Sequence, residues 1–351
     1  MRLYYLSFLY VLAISPFASC DNAVEINGEY QEKVLVYGLL DHAKDTNYLR
    51  IEKSFLNDQI NALVLSQDPA QLYYSDSDLQ VSIEEWKSGL LQRTLPAERV
   101  NGDTLGIPKA NGIFASAPNI LYRLIAQLDS SATYTLQIIH EADGDTIRST
   151  TQLVYGAQAY YPTKPDVYLD FTDTTKITYY INEADNGRMY ELWMHFFYYE
   201  KELASGDSVL KHADWQIFAN KISENSDGIG FITYSLNRNN FFTFLAGSID
   251  PDPNVSRRFA YLDFTWYIGS EEIYSMYLNT LANLGINENY ISPEYTNVEG
   301  GMGLFASRLA MPVHHVLLYD ETIDSIACGS ITGNLRFYSS QTNPGYPGCS
   351  L

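Results

Sequence analysis

Cysteine and histidine are the residues best suited to metal binding or nucleophilic catalysis, and this chain has few of either. Its 351 residues include three cysteines and six histidines. Cys328 and Cys349 lack the CxxC or CxxH spacing of a zinc site, so we expect them either to pair in a disulfide or to remain free thiols. His314 and His315 are adjacent, and adjacent residues of a strand point to opposite faces. The sequence therefore predicts no metal site and no cofactor.

Two loops resemble ligand-binding motifs without completing them. Residues 250–254 begin like a calcium loop, but Val255 stands where the turn glycine belongs and Tyr261 where a bidentate carboxylate is required. The segment VEGGMGLF at 298–305 lacks the Gly-Lys-Ser/Thr and the following helix of a phosphate-binding loop. We expect a stiff Asx-type turn in the first and glycines that allow a bulge or close backbone approach in the second.

Catalytic arrangements are equally hard to find. No Gly-x-Ser-x-Gly elbow occurs. A glycosidase requires two carboxylates across a cleft, and the sequence cannot select two among 42 acidic residues. The pairs Glu84-Glu85 and Glu271-Glu272 are expected to be ordinary surface or helix-start charges. We predict a protein without catalytic residues or enzymatic activity, with a hydrolase as the less favoured alternative.

The aromatic residues suggest a binding surface as an alternative to a purely structural role. The chain has 29 tyrosines and four tryptophans. Trp193 and Trp266 are candidates for stacking against a sugar or a peptide on the face of a β-sandwich. The same side chains also suit the interior of β-rich cores, which is the interpretation we favour. Exposure of either tryptophan in a cleft would support the ligand-binding alternative.

The charge balance argues against nucleic acid as a partner. The chain has 22 Lys+Arg against 42 Asp+Glu, a net charge of -20. Binding to phosphate backbones requires a basic patch, and the sequence contains none. Hydrophobic residues make up 46% and charged residues 18%, which is typical of a folded protein.

The first twenty residues are typical of a bacterial lipoprotein signal. Arg2 precedes an apolar run at 3–14, which has the length of a secretory signal and is too short to span a bilayer. Small residues then lead to Cys20 as in a lipobox, with Phe17 where leucine is commoner. We predict a signal peptide at 1–19 and lipidation of Cys20, against the alternative of an ordinary signal peptide. Two or three acyl chains would hold the protein stably, whereas one chain gives marginal membrane binding.

The remaining chain predicts a mainly β protein of two domains. Residues 20–32 are polar and predict a tether, and 33–155 contain six or seven short strands that predict an immunoglobulin-like β-sandwich. Residues 156–166 contain two prolines and predict a linker. A second β-rich domain is predicted at 167–340, followed by a tail at 341–351.

One α-helix is predicted in the second domain, at about 270–284. Ser270 is a suitable N-cap, two glutamates occupy the first turn, and Gly285 is a suitable C-terminal cap. Residues 240–249 (NFFTFLAGSI) predict a strand. Residues 189–200 are apolar and aromatic at successive positions, which predicts a strand buried on both faces or covered by a helix.

Four motifs, in this order, resemble the DUF4249 family of Bacteroidota envelope lipoproteins. They are YLRIEKSFL, then LQVSIEEW with GIFASAPNILYR, then EEIYSMYL in the predicted helix, and finally EYTNVEGGMGLFASR at 294–308. Gly300 stands where the family usually has asparagine, and the match covers most of residues 20–340. The resemblance implies a cell-envelope lipoprotein, often encoded near TonB-dependent outer-membrane receptors, and it implies no established activity.

These observations predict a non-enzymatic outer-membrane lipoprotein, held through its N-terminal lipid and facing either the periplasm or the cell surface. We expect an interaction or accessory module, with a TonB-dependent receptor as its partner. The alternative is a surface lipoprotein that binds glycans or peptides.

Overall fold

The computed structural model describes residues 31–57, 59–163, 167–173, 175–224, 227–283 and 294–340. The predicted signal peptide at 1–19, the lipidated Cys20, nearly all of the tether and the tail at 341–351 lie outside these residues.

The fold is mainly β, as the sequence predicts. The described residues contain sixteen strands: β1 (Val34–Leu40), β2 (Thr46–Lys53), β3 (Leu79–Lys87), β4 (Leu90–Pro96), β5 (Glu98–Asn101), β6 (Ile120–Ile125), β7 (Thr133–His140), β8 (Thr146–Gln152), β9 (Ala159–Tyr161), β10 (Tyr168–Leu169), β11 (Lys176–Asn182), β12 (Met189–Glu202), β13 (Ser208–Ile222), β14 (Phe231–Asn237), β15 (Val255–Gly269) and β16 (Met302–Leu318). They also contain five helices: α1 (Ala62–Leu65), α2 (Pro69–Leu72), α3 (Asn239–Ser248), α4 (Glu271–Asn283) and α5 (Asp320–Cys328), with 3-10 turns at Gly102–Leu105 and Gly333–Leu335.

The strands form three sheets, and the largest extends through both halves of the chain. Its order is β13-β12-β15-β16-β1-β2-β6-β5, with β10 paired to β16. A four-stranded sheet has the order β4-β3-β7-β8, and a three-stranded sheet has the order β14-β11-β9. Within Lys33–Leu351, which form one compact unit, the predicted linker at 156–166 contributes β9 to the three-stranded sheet.

The first hydrophobic core lies between two of these sheets, in the sandwich-like arrangement that the sequence predicts for this part of the chain. Strands β1, β2 and β6 of the large sheet contribute one side, including Val36 and Ile51. The four-stranded sheet contributes the other, including Ile83 and Leu136. Because successive side chains of a strand alternate between faces, strands such as β3 and β7 place one apolar set in this core. The alternate residues of β1 are not polar, since Tyr37 and Leu39 are exposed.

The second core lies between strands β12, β15 and β16 of the large sheet and the three-stranded sheet with α3. Residues 240–249 were expected to form a strand, and this prediction is wrong because most of them belong to α3. Phe241, Phe242 and Leu245 are buried on one side of the helix, and the ring of Phe241 stacks on Phe171 with 4.1 Å between centroids. The high aromatic content favoured a strand, whereas the helical spacing of these three residues was the decisive signal.

The predicted helix is confirmed as α4, Glu271–Asn283, with Glu271 and Glu272 in its first turn. The side chain of Ser270 donates a hydrogen bond to Glu272 and accepts one from the backbone N–H of Ser307. The expected C-terminal cap, Gly285, lies outside the described residues. Across the described ranges, no helix combines the length and the apolar character needed to cross a membrane.

The glycine-rich segment joins the two halves of the large sheet. Its strand, β16, pairs in parallel with β1, so that Gly303 lies opposite Val36. Gly303 has a φ of +111°, and a Cβ atom there would overlap the carbonyl oxygen of Val36. A Cβ at Gly301 would lie 2.8 Å from the carbonyl oxygen of Val34. The predicted close backbone approach is therefore confirmed, and it explains why this segment tolerates no side chain at two positions.

Candidate functional site

The outward side of the large sheet carries the main candidate site. Along β12, Leu192, Met194 and Phe196 are buried, while Trp193, His195 and Phe197 between them are partly exposed. Of the two alternatives, burial on both faces is therefore wrong, because only one face packs on the core. A helix does lie against that face, since Phe196 contacts Phe241 of α3 with 6.0 Å between ring centroids. We call the outward side chains of β13, β12, β15 and β16 the outer face.

Imidazole and carboxylate groups alternate across the outer face. His195 lies opposite Asp214 of β13 and Asp263 of β15 in the strand register. The Nδ1 atom of His195 is 2.7 Å from Oδ1 of Asp214, and Nε2 of His212 is 3.6 Å from Oδ2 of the same aspartate. On the other side, Oδ2 of Asp263 is 2.9 Å from Nδ1 of His314. Four strands thus contribute to one row of hydrogen-bonding groups.

His314 and His315 lie on the same side of the sheet, contrary to the sequence-based expectation. His315 has a φ of 59°, and the pairing of β15 with β16 shifts register between Leu262 and Phe264. Its backbone N–H donates to Oδ1 of Asp263 at 2.9 Å. A left-handed residue at a strand irregularity interrupts the alternation of side chains, so both histidines reach the outer face.

A row of rings runs beside the row of imidazoles and carboxylates. The centroids of Phe197 and His212 are 5.5 Å apart, and those of Phe197 and Tyr261 are 4.6 Å apart with the rings stacked. Tyr261 also stacks on His315 at 4.3 Å. The order His212, Phe197, Tyr261, His315 follows the strand order β13, β12, β15, β16. The four rings therefore form a continuous, partly exposed strip across the sheet, which we call the ring strip.

The two tryptophans proposed for stacking have different environments. Trp266 is completely buried against Phe218 in the second core, which excludes it from stacking on a ligand. Trp193 is partly exposed on the outer face, where its Nε1 donates to Oε2 of Glu191 at 3.2 Å. Only Trp193 therefore remains available to a partner, as part of an open sheet surface.

The outer face does not provide a metal centre in the part of the chain that is described. There, no three His, Cys, Asp or Glu side chains converge on a common point. The aspartates of the row instead lie against groups of the protein itself: Asp214 is within hydrogen-bond distance of His195, and Asp263 is within that distance of His314 and accepts from the backbone N–H of His315. Consistent with the sequence interpretation of residues 250–254, the backbone N–H of Asn254 donates to Oδ1 of Asp252 at 2.8 Å, as in an Asx turn.

A cavity of about 560 Å³, lined by polar and apolar residues, opens where β12 ends and β13 and β15 begin. We call it the basic pocket, and its lining includes Tyr199, Lys201, Ser256, Arg258, Asp320 and Tyr338. Two cationic side chains and one carboxylate thus line it, in a chain with a net charge of -20. No sequence motif indicated this site, because its residues come from three adjacent strands, the start of α5 and the segment near residue 338.

The acidic pair Glu84-Glu85, interpreted from the sequence as surface charge, is partly buried. Glu85 lies in the first core, where its Oε2 accepts from the hydroxyl of Tyr134 at 2.8 Å and from Nη2 of Arg93 at 2.7 Å. Burial, and next the hydrogen bond to Glu85, raise the pKa of Tyr134 above its ordinary value. The alternation of β3 was the available signal, since it assigns residue 85 to the buried face.

Of the two cysteines predicted to pair, only Cys328 lies within the described residues. Cys328, at the end of α5, is disulfide-bonded. Cys349 lies outside the described residues, as does Cys20, so the pairing of Cys328 with Cys349 and the lipidation of Cys20 stay predictions.

No family model matches this sequence, and no curated protein matches it either. The resemblance to DUF4249 lipoproteins consequently remains a prediction, and the functional argument depends on the geometry described above.

Proposed function

We propose that this protein is a non-enzymatic, lipid-anchored component of the cell envelope that binds another protein through its outer face. The observation that carries the proposal is the ring strip, in which His212, Phe197, Tyr261 and His315 contact one another across four strands while remaining partly exposed.

The composition of the outer face supports a protein partner. Tyrosine, tryptophan and arginine are enriched at protein interfaces, and the face contains Trp193, Tyr267 and Arg308. The guanidinium of Arg308 lies 4.0 Å from the ring centroid of Tyr267 and also binds Oε1 of Glu191 at 3.0 Å. Side chains held in this way lose little conformational freedom on binding, which reduces the entropic cost of association.

The shape of the surface also favours a protein over a small molecule. Ligand pockets for small molecules are concave and surround most of the ligand, whereas the ring strip lies on the face of a sheet. The alternative of a glycan- or peptide-stacking platform loses Trp266, one of the two residues proposed for it, because that side chain is completely buried.

The envelope location is supported by the sequence of residues 1–20 and by the resemblance to envelope lipoproteins. The tether at 20–32 would reach about 40 Å if fully extended. Such a tether would let the outer face approach a membrane-embedded partner while acylated Cys20 remains in the bilayer. A TonB-dependent receptor is the partner that the resemblance implies.

Affinity purification from envelope membranes tests this proposal. The full chain would be crosslinked in cells, extracted in mild detergent and compared with a Phe197→Ala/Tyr261→Ala double variant by quantitative mass spectrometry. We expect one envelope protein to copurify with the wild type and to be depleted about tenfold or more in the variant, since contact residues at an interface centre often contribute 2 kcal/mol or more.

Tyr180→Ala provides a matched control, because Tyr180 is an exposed aromatic residue of the three-stranded sheet. This variant should retain the partner as the wild type does. Recovery of the wild-type protein alone, or equal recovery of the partner with the double variant, would contradict a binding role for the outer face.

A further inference from the structure

Two cationic side chains, Lys201 and Arg258, line the basic pocket. Glu200, between two residues of its lining, is already bound by Nζ of Lys211 at 2.5 Å and by Nε of Arg257 at 2.8 Å. Within the described residues, neither Lys201 nor Arg258 forms an ion pair, although the chain has almost twice as many acidic as basic residues. These two exposed cations are therefore available to an anionic ligand in the cavity.

The strand register places the two cations close together. Lys201 lies opposite Ser256 and Tyr199 opposite Arg258 in the antiparallel pairing of β12 with β15. Lys201 and Arg258 are consequently diagonal neighbours on the same face of the sheet, with Cβ atoms about 7 Å apart in this arrangement. Long side chains at that separation can approach a single anionic group from two sides.

Ser256 supplies a second, independent indication of a ligand. It lines the basic pocket, is 1% exposed, and its hydroxyl has no hydrogen-bond partner within the described residues. A buried hydroxyl without a partner costs free energy, and native proteins usually satisfy such groups with protein, water or ligand. The unsatisfied group lies directly opposite Lys201, which is where an anion held by that lysine would lie.

The rest of the lining suits the organic part of a small polar ligand. Tyr199 and Tyr338 present aromatic rings with hydroxyl groups, and Asp320 presents an acceptor for a ligand hydroxyl. The cavity volume of about 560 Å³ falls within the range of roughly 300–1,000 Å³ of small-molecule sites. The carboxylate of Asp320 would repel a ligand that is anionic along its whole length. The lining therefore favours a ligand with one anionic end and one hydroxylated end.

We propose that the basic pocket binds a phosphate or sulfate monoester of a hydroxylated small molecule such as a sugar. Lys201 and Arg258 hold the ester oxygens, Ser256 donates its free hydroxyl, and the hydroxylated part lies toward Asp320 and the tyrosines. Arginine and lysine together suit a tetrahedral group with several acceptor oxygens. The basic pocket adjoins the ring strip, since Tyr199 lies two residues beyond Phe197 on the same side of β12. Binding of a small ligand can nevertheless be measured on the purified protein without the protein partner.

Isothermal titration of the full chain in mild detergent tests the inference, with glucose 6-phosphate and glucose 6-sulfate as the probes. Inorganic phosphate and glucose represent the two halves of the ligand. We expect at least one ester to bind more tightly than either half. Lys201→Ala and Arg258→Ala should each weaken that binding about tenfold or more, since hydrogen bonds to charged groups contribute 1.5–3 kcal/mol. Ser256→Ala should weaken it by a smaller factor.

Lys221→Ala is the matched control, because Lys221 is an exposed lysine at the opposite end of β13 from the pocket residue Ser208. It should bind the ester as the wild type does. Because Lys201 and Arg258 are exposed, their variants should also unfold at the wild-type temperature, which separates lost binding from lost folding. The inference fails if neither ester binds, if inorganic phosphate or glucose binds as tightly as the esters, or if both cation variants retain wild-type affinity.

Discussion

The hydroxyl group of Tyr134 donates a hydrogen bond to the carboxylate of Glu85 at 2.8 Å inside the N-terminal sandwich. The two residues face each other on neighbouring strands, and Arg93 binds the same carboxylate oxygen from β4. A charged group in this core is therefore stabilised by one neutral and one cationic donor, which offsets the cost of removing it from water.

Replacing Tyr134 with phenylalanine is expected to lower the free energy of unfolding by about 1 kcal/mol, because Glu85 then loses one donor but retains Arg93. Urea unfolding followed by circular dichroism would measure the difference. Tyr180→Phe, at an exposed position, should leave the unfolding midpoint unchanged. Equal midpoints for Tyr134→Phe and the wild type would show that the hydrogen bond contributes nothing to stability.

Glu200 is expected to make the protein less stable in acid. Burial by itself raises the pKa of this carboxyl, but hydrogen bonds from Lys211 and Arg257 outweigh it, so the pKa in the folded protein lies below the usual value. A group with a lowered folded pKa contributes its full stabilisation above its unfolded pKa of about 4.3, and loses it as the pH falls toward the folded pKa.

Glu200→Gln should consequently reduce the free energy of unfolding by about 2 kcal/mol at pH 7, and this difference from the wild type should shrink below about pH 4.3. Urea unfolding between pH 7 and pH 3 measures both effects. Glu98→Gln is the comparison, since the side chain of Glu98 is 65% exposed and its bond to Arg123 is screened by solvent. A constant difference across this pH range would contradict the assignment.

Gly303→Ala should destabilise the protein by at least about 2 kcal/mol, because a positive φ and overlap with Val36 are both unfavourable for a side chain. Gly247→Ala makes the same chemical change in α3, where nothing lies within 4 Å of the added methyl group. That substitution should be neutral or stabilising by up to about 1 kcal/mol. Thermal unfolding of the two variants provides the comparison, and equal melting temperatures would rule out a tight approach between β16 and β1.

Cys20→Ala should move the protein from membranes to the soluble fraction, because the predicted lipid would have no attachment point. Fractionation of cells followed by immunoblotting would detect the change. Cys328→Ser removes a different cysteine, one that is disulfide-bonded, and should leave the protein in the membrane fraction, provided that it is stable enough to accumulate. A Cys20→Ala protein that remains in membranes would refute the lipid anchor.

Short-range signals predicted the parts of the fold that depend on neighbouring residues. The alternation of β3 placed Leu79, Val81 and Ile83 in the core, and the N-terminal charges and periodicity of α4 identified that helix. The same alternation also assigned Glu85 to the buried face. The expectation that acidic side chains lie at the surface led to the opposite interpretation, because the partners Tyr134 and Arg93 could not be seen from the sequence of β3 alone.

The candidate sites could not be predicted in this way, because they depend on register between distant strands. The ring strip requires His212, Phe197, Tyr261 and His315 to align across four strands. His315 reaches the outer face only through a left-handed backbone conformation, and the presence of a histidine at this position does not predict that conformation. The basic pocket similarly combines β12 and β15 with the start of α5, so no single segment carries its pattern.

The parallel pairing of β16 with β1 also has a consequence for the order in which the chain can fold. Among the strands of the described residues, β1 comes first in the sequence and β16 last, yet the two are adjacent in the large sheet. Until residue 302 has emerged, β1 has an open edge, and open edges of this kind invite pairing with other chains. Such long-range pairing slows folding. A chain that stays unfolded until β16 has been synthesised avoids exposing this edge. A chain that is truncated before β16 would keep the edge of β1 open permanently.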